Sequence, residues 1–398
     1  MNEHDLKTGK KFKVLHIITR LIIGGAQENT VLSVLGLQEF PEFEITLLTG
    51  PALGPEGSLI ENCRKKMALK LMPELRRSIN PCFDLIALIK LTHFIKKNRF
   101  DIVHTHSSKA GILGRTAAYL AKTPVIIHTV HGLPFFKEQN RILNLLYAAA
   151  EKLAAKITAK IVCVSETLIR NALESGVAEK DKFLTIYSGI DFSSYDIREE
   201  QTRELKASLN IPENAFVVGK LARLFHGKGH DYLLRAALYL KQKKHNFRIL
   251  LIGDGILKDS LMRKCRQMGI EENCIFAGLI PPEQISLYLS AVNVLAHTSL
   301  HEGLPRAVVQ AFALGKPAVC FDVDGACDAV KDGENGFLIP AKDDRLLGEK
   351  LDFLAQHPEQ AAKMGEQGRM LAFKKFDKKN MIEALAALYK KEVSKCGL

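Results

Sequence analysis

Along almost the whole chain, short apolar runs rich in β-branched residues alternate with longer stretches of helical period. Such alternation predicts parallel strands joined by crossover helices. In the first half the runs are Val14–Ile18, Glu44–Leu48, Ile102–His104, Val125–His128, Ile161–Val164 and Phe183–Ile186. In the second half they are Phe216–Lys220, Arg248–Ile252, Cys274–Phe276, Val294–Ala296, Ala318–Phe321 and Phe337–Ile339. Each half therefore reads as its own doubly wound α/β unit. The polar stretch Asp191–Asn214, with its charge runs and Pro212, is expected to connect them. The expected domains are residues 1–190 and 191–377. Lys378–Lys391 reads as a terminal helix, and a return of residues 378–398 to the first domain is one expected arrangement.

The length of 398 residues suits two such domains. Composition is that of a globular protein, and no run reaches the roughly 18 apolar residues of a spanning helix. Met1–Lys13 is polar and basic without an apolar signal core. Eight cysteines are scattered with no Cys-x-x-Cys pair, so spacing suggests neither a zinc ribbon nor a redox dithiol. The expected location is the cytoplasm, with peripheral contact at the inner membrane face as an extension of it. Of the net charge of +12, eight units lie before Asp196, which points to an anionic partner for the first half. Nucleic acid fits poorly, because there is no arginine-rich tract, aromatic-interleaved basic strand or finger spacing.

In doubly wound sheets ligands sit beyond the carboxyl ends of the strands, so clusters that follow a strand are site candidates. Gly24 and Gly25 open a helical run after the first strand, where bare backbone amides can approach a phosphate or sugar. Arg223 and Lys228, five apart and set among glycines after the first strand of the second half, could grip a diphosphate as a planar fork and a point charge. Glu302, Gly303, Leu304 and Pro305 open a helix, with Pro305 suited to its first turn. A carboxylate beside such an anion-binding end suggests contact with hydroxyls or a developing cation. Its bland alternative is a helix cap. His131, in His128-Thr129-Val130-His131-Gly132, is a candidate substrate donor. No partner at ligand spacing supports a metal there.

Taken together, these segments resemble family 4 of the retaining glycosyltransferases, in the two-domain GT-B architecture. The resemblance runs from about Val14 to about Phe376 and is carried by the Arg223/Lys228 loop and HEGLPRAVVQAFALGKPAV, supported by GGAQE, HTHSSKAGILGR, TVHG, VSET, YSGID and GDG. It implies two Rossmann-like domains facing across a cleft. It also implies that Arg223 and Lys228 neutralise the leaving diphosphate, and that Glu302 with the amides of Gly303 and Leu304 contacts the transferred sugar and the phosphates. His131 would contact that sugar near the reacting carbon, and Gly24 and Gly25 would line the cleft. Gly253, Asp254 and Gly255, with Phe276, Gly278 and Leu279, would form part of the nucleotide pocket. Gln310 stands where the family has a second glutamate for the ribose hydroxyls. It can still accept, without charge, at a cost of about 1 kcal/mol per bond. Asp328 likewise stands where a glutamate is common.

The implied reaction moves a sugar from a nucleoside diphosphate, most often uridine in this family, to a hydroxyl with retention. No carboxylate pair suits a double displacement, which favours a front-face route without metal or cofactor. A lipid-linked glycan acceptor is expected by analogy. Rivals on the same fold are a sugar-nucleotide epimerase, a phosphorylase and a non-catalytic binding subunit. Asp84–Asn98, apolar with a cationic end, fits a crossover helix or an interfacial helix on anionic lipid.

Overall fold

The computed structural model describes residues 11–54, 56–135 and 139–397, so most of the basic N-terminal stretch lies outside the described residues. The chain divides into two compact units, one of residues up to Gly189 together with Lys378 onward, the other Ile190–Asp377.

The first unit is built on seven parallel strands: β1 (Phe12–Ile18), β2 (Phe43–Thr49), β3 (Ala68–Leu71), β4 (Ile102–His106), β5 (Val125–Val130), β6 (Lys160–Cys163) and β7 (Phe183–Thr185). Their order is β3-β2-β1-β4-β5-β6-β7. Every residue of β4 and β5 is buried, as expected of strands covered on both faces. β3 has no counterpart among the expected strands. It is a four-residue edge strand whose Ala68 and Lys70 are exposed, so it lacks the apolar run that betrays the others. Leu15, Ile17, Val103 and Ile126 pack one face of the sheet with helices Pro81–Asn98 and Ser108–Leu120. On the other face lie Val14, Ile18 and Ile127, with helix Gly25–Leu37 and the terminal helix Lys378–Lys395. Gly36 is what lets those two helices meet. A Cβ there would stand 2.1 Å from the Ile382 side chain.

The second unit has six parallel strands: β8 (Phe216–Leu221), β9 (Phe247–Ile252), β10 (Cys274–Gly278), β11 (Val294–His297), β12 (Ala318–Phe321) and β13 (Gly336–Ile339), ordered β10-β9-β8-β11-β12-β13. The stretch read as a connection is more ordered than expected. It carries helix Glu199–Ser208, which begins with two acidic residues, buries Leu205 and ties Thr202 to Ser290 at 2.7 Å. Both sheets reverse strand order beside their first strand, between β1 and β4 and between β8 and β11. That switch point is where such sheets bind ligands.

Candidate active site

In the second unit two of the three charged candidates, Lys228 and Glu302, meet, while the Arg223 guanidinium lies 5.2 Å from the centre of the Phe225 ring. Arg223 and Lys228 follow β8, and the Glu302–Pro305 turn follows β11, so the two loops leave the adjacent strands of the switch point. Lys228 Nζ donates to Glu302 Oε1 at 2.5 Å, and both side chains are about one-fifth exposed, at 23% and 18%. Burial, the largest single influence, would raise the Glu302 pKa, but the Lys228 ammonium and the His297 side chain together more than reverse it and hold the carboxyl far below its usual range. His297 Nε2 lies 3.5 Å from the same oxygen, at the limit of a hydrogen bond. Burial keeps that imidazole below its ordinary pKa, so at neutral pH the charge facing Glu302 is Lys228.

The loop that carries Lys228 is held from behind. Gly229 has φ +68° and its Cβ would stand 1.9 Å from the Thr298 carbonyl oxygen, so only glycine fits. Thr298 Oγ1 bonds the Gly229 carbonyl at 2.7 Å and accepts from the buried Lys220 Nζ at 2.7 Å. β8 and β11 pair only at Val218–Val294 and Gly219–Leu295, and Lys220 follows that pairing. Burial pushes its pKa down to about 7, with the Lys228 charge adding to the effect. The backbone N–H of Glu302 donates to Asp324 Oδ2 at 2.8 Å, and His301 Nδ1 lies 2.6 Å from that oxygen. Asp324 has φ +41°, a strained conformation for a non-glycine and common where geometry serves a site. Lys220, His297 and Thr298 escape a motif reading, because burial in or beside a strand, not spacing, brings them under the loops, and Asp324 escapes it because it reaches the site from the loop after β12.

The remaining candidates of this unit occupy neighbouring strand ends. Gly253, Asp254 and Gly255 follow β9; Phe276 and Gly278 lie in β10, and Leu279 follows it. Gly253 N–H donates to the Gly278 carbonyl at 2.9 Å, which joins the two groups. Gly255 approaches the Arg223 loop so closely that a Cβ would stand 2.5 Å from the Leu224 carbonyl. The helix beyond Pro305 runs Arg306–Ala313, and Gln310 on it donates to Tyr195 Oη at 2.9 Å, leaving its carbonyl for another donor. Asp328 is buried at the start of its own short helix.

In the first unit, Gly24 caps and Gly25 begins the helix that follows β1. His131 follows β5 and lines a cavity of about 160 Å³ with Ser107, Ser108, Gly132 and Glu151. The histidine pair of that segment is split between partners. His128 Nδ1 lies 2.9 Å from Thr105 Oγ1, and His131 Nε2 lies 3.2 Å from His106 Nδ1. Glu151 pairs with Arg115 at 2.6 Å, and the arginine is fully buried.

Two family models match this chain, "Glycosyltransferase Family 4" over residues 43–194 and "Glycosyl transferases group 1" over residues 201–370. The chain belongs to the GT-B glycosyltransferases of group 1/family 4. This glycosyltransferase is 29% identical over 344 residues to the UDP-Gal:alpha-D-GlcNAc-diphosphoundecaprenol alpha-1,3-galactosyltransferase of Escherichia coli, covering 84% of this chain and 86% of that one. It is 26% identical over 319 residues to the capsular polysaccharide biosynthesis glycosyltransferase CapM of Staphylococcus aureus, covering 79% and 83%. Among solved structures, Anabaena HepE in complex with UDP and glucose superposes with a TM-score of 0.81 at 22% identity, over 96% of this chain and all of that one. WaaG, a glycosyltransferase involved in lipopolysaccharide biosynthesis, gives 0.76 at 17% identity, over 93% and 98%. The expected architecture of two Rossmann-like domains is thus the observed one.

Proposed function

We propose that this glycosyltransferase transfers a sugar, with retention, from a UDP-sugar to a hydroxyl of a lipid-linked glycan in cell-envelope polysaccharide assembly. The observation that carries the reading is the Lys228–Glu302 pair at the β8/β11 switch point, where an ammonium and a carboxylate are in contact. An ammonium has three donors, so Lys228 can hold Glu302 and still meet diphosphate oxygens. Arg223 and Lys228, with the amides of Gly303 and Leu304, would stabilise charge on the leaving diphosphate. The acceptor oxygen bonds to the anomeric carbon on the face from which the carbon–phosphate oxygen bond breaks, and the acceptor's proton passes to the departing phosphate. Glu302 and His131 would meet the sugar's hydroxyls, and Gln310 would accept from the ribose. Protein cations neutralise the diphosphate, so the reaction would need no metal or cofactor. Names of relatives support donor and acceptor: one uses UDP-galactose and a diphosphoundecaprenol-linked sugar, and HepE binds UDP.

Peripheral contact with an anionic leaflet fits the same acceptor. Among the described residues no helix is long and apolar enough to cross a membrane. Yet helix Arg141–Lys156 exposes Ile142, Leu145, Leu146 and Leu153 by 61–71%, beside exposed Arg141, Lys152 and Lys156. Helix Pro81–Asn98 packs its Ala87, Leu91 and Ile95 inward, as a crossover helix does, but leaves Leu85 and Ile89 out. A cationic helix with an outward apolar stripe suits the lipid–water interface.

The test is an assay of UDP-sugars against diphosphoprenyl-linked sugar acceptors, with the product's anomeric configuration read by NMR and EDTA as a control. Retention, and activity that survives EDTA, is the expected outcome. Inversion, metal dependence, or turnover of the donor to an epimer with no acceptor would each refute the corresponding part.

A further inference from the structure

Six buried or half-buried side chains of the first unit form one unbroken series of hydrogen bonds that no step above uses. Thr129 Oγ1 lies 2.7 Å from His104 Nε2, and His104 Nδ1 lies 2.5 Å from Tyr389 Oη. Tyr389 Oη lies 3.0 Å from His16 Nε2, and His16 Nδ1 lies 2.9 Å from His106 Nε2. His106 Nδ1 lies 3.2 Å from His131 Nε2, which ends the series at the proposed sugar contact. The sheet makes this possible. β1 and β4 pair with His16 beside His104, and β4 and β5 pair with His106 beside Thr129, so alternate residues of three strands share one face. Tyr389 arrives from the terminal helix, whose other residues pack on that face.

Each link holds one proton. A neutral imidazole donates with one nitrogen and accepts with the other, so neutral rings in series must all point the same way. Burial keeps the rings neutral: it lowers the pKa of His16 to about 3 and those of His104 and His106 well below the ordinary value. Two all-neutral states remain, one running from Thr129 to His131 and one the reverse. In the reverse state Thr129 would accept from His104, and its own hydroxyl proton would have no acceptor among the described residues. A buried donor without a partner is costly. In the forward state Thr129 donates to His104, His104 to Tyr389, Tyr389 to His16, His16 to His106 and His106 to His131, and all five protons within the series have acceptors.

We propose that this series is a one-directional hydrogen-bond relay that holds His131 as its Nδ1–H tautomer, with Tyr389 and Thr129 as positioning residues. The consequence for the reaction rests on the reading of His131 as a sugar contact. With Nε2 accepting, His131 carries its proton at Nδ1, so its part in the proposed sugar contact is that of a hydrogen-bond donor, not of a base. That agrees with a route in which the leaving phosphate takes the acceptor's proton. His16, His104 and His106 also bring ligand atoms within 4.8 Å of one another, close enough for a metal ion. However, all six of their nitrogens already face partners in the series, so the relay accounts for them without one.

The experiment is long-range 1H–15N NMR on the full chain labelled at histidine nitrogen, with His131 assigned by its loss in His131→Ala. The expected wild-type signal is the Nδ1–H tautomer. Tyr389→Phe and Thr129→Val should each shift His131 towards the Nε2–H form that imidazole prefers in water, whereas Thr129→Ser should keep Nδ1–H. In Tyr389→Phe, kcat should fall roughly tenfold with the donor KM within about twofold, the scale of one misdirected hydrogen bond. An Nε2–H tautomer in the wild type would overturn the relay. So would an unchanged tautomer in Thr129→Val, a readout that stands even if the tyrosine variant does not fold. A stoichiometric transition metal in the purified protein would also overturn it. Full activity of His131→Ala would instead remove the sugar contact and leave the tautomer result to judge the relay.

Discussion

Replacing Lys228 by methionine removes the ammonium and keeps the side chain's length. In the structure that ammonium is the charge next to a carboxylate only 18% exposed. Unit charges about 4 Å apart interact by about 4 kcal/mol at an effective dielectric constant of 20. With both groups about one-fifth exposed, solvent screening lowers the expected loss to roughly 2–3 kcal/mol. The sign follows from Glu302. Its folded pKa is depressed, so the stability it contributes is present above the unfolded value of about 4.5 and is lost as pH falls through the folded value. The variant lacks that contribution already at neutral pH. The wild-type advantage in urea unfolding should therefore be full at pH 7.5 and shrink below about pH 4. Activity should suffer in parallel, with kcat/KM down about 10²–10³-fold if Lys228 stabilises the diphosphate in the transition state. Lys228→Arg should recover part of both. A Lys228→Met enzyme whose kcat/KM stays within about threefold of wild type would refute the assignment of Lys228 as the diphosphate's counter-ion, whatever its stability.

Arg115→Met strands the Glu151 carboxylate in a buried site and should cost about 3–5 kcal/mol in denaturant unfolding, whereas removing both charges together should cost much less. Leu145→Glu with Leu146→Glu, on a solvent-facing stripe, should abolish co-sedimentation with phosphatidylglycerol vesicles and leave the unfolding midpoint unchanged. Binding that persists in this variant would move the docking surface elsewhere. Because His16 and His230 are held neutral with pKa values near 3, the unfolded chain binds more protons than the folded one between about pH 6.5 and 3. Stability should be full above pH 6.5 and fall by up to roughly 1.4 kcal/mol per pH unit per histidine as acid is added. Urea midpoints that stay flat from pH 6.5 to 4.5 would contradict it.

Twelve of the strands could be read from the chain, because a strand covered on both faces must be an apolar run and little else writes that pattern. β3 could not, since Ala68–Leu71 lies at a sheet edge with two residues in water and has no such run. The helix Glu199–Ser208 was hidden for the same reason, as it buries a single leucine in a charged stretch. The loops that carry Arg223, Lys228 and Glu302 were legible, because glycines and a proline mark segments that follow strands at a switch point. The 74 positions between Lys228 and Glu302 become a 2.5 Å contact only through the pairing of β8 with β11.

What the sequence by itself determined, then, is what apolar periodicity and local motifs write: two α/β halves, their strand-end loops, and the family whose motifs those loops carry. What only the tertiary structure decided is which distant side chains meet. Lys220 looks like one more strand residue until burial pushes its pKa to about 7 beneath the Lys228 loop. Tyr389 sits in an ordinary-looking terminal helix, yet its hydroxyl joins His16 to His104 across 373 and 285 positions. Periodicity reports whether a residue faces water or core, and it holds no term for what stands opposite. That depends on strand order and helix docking, which come from packing the whole chain at once.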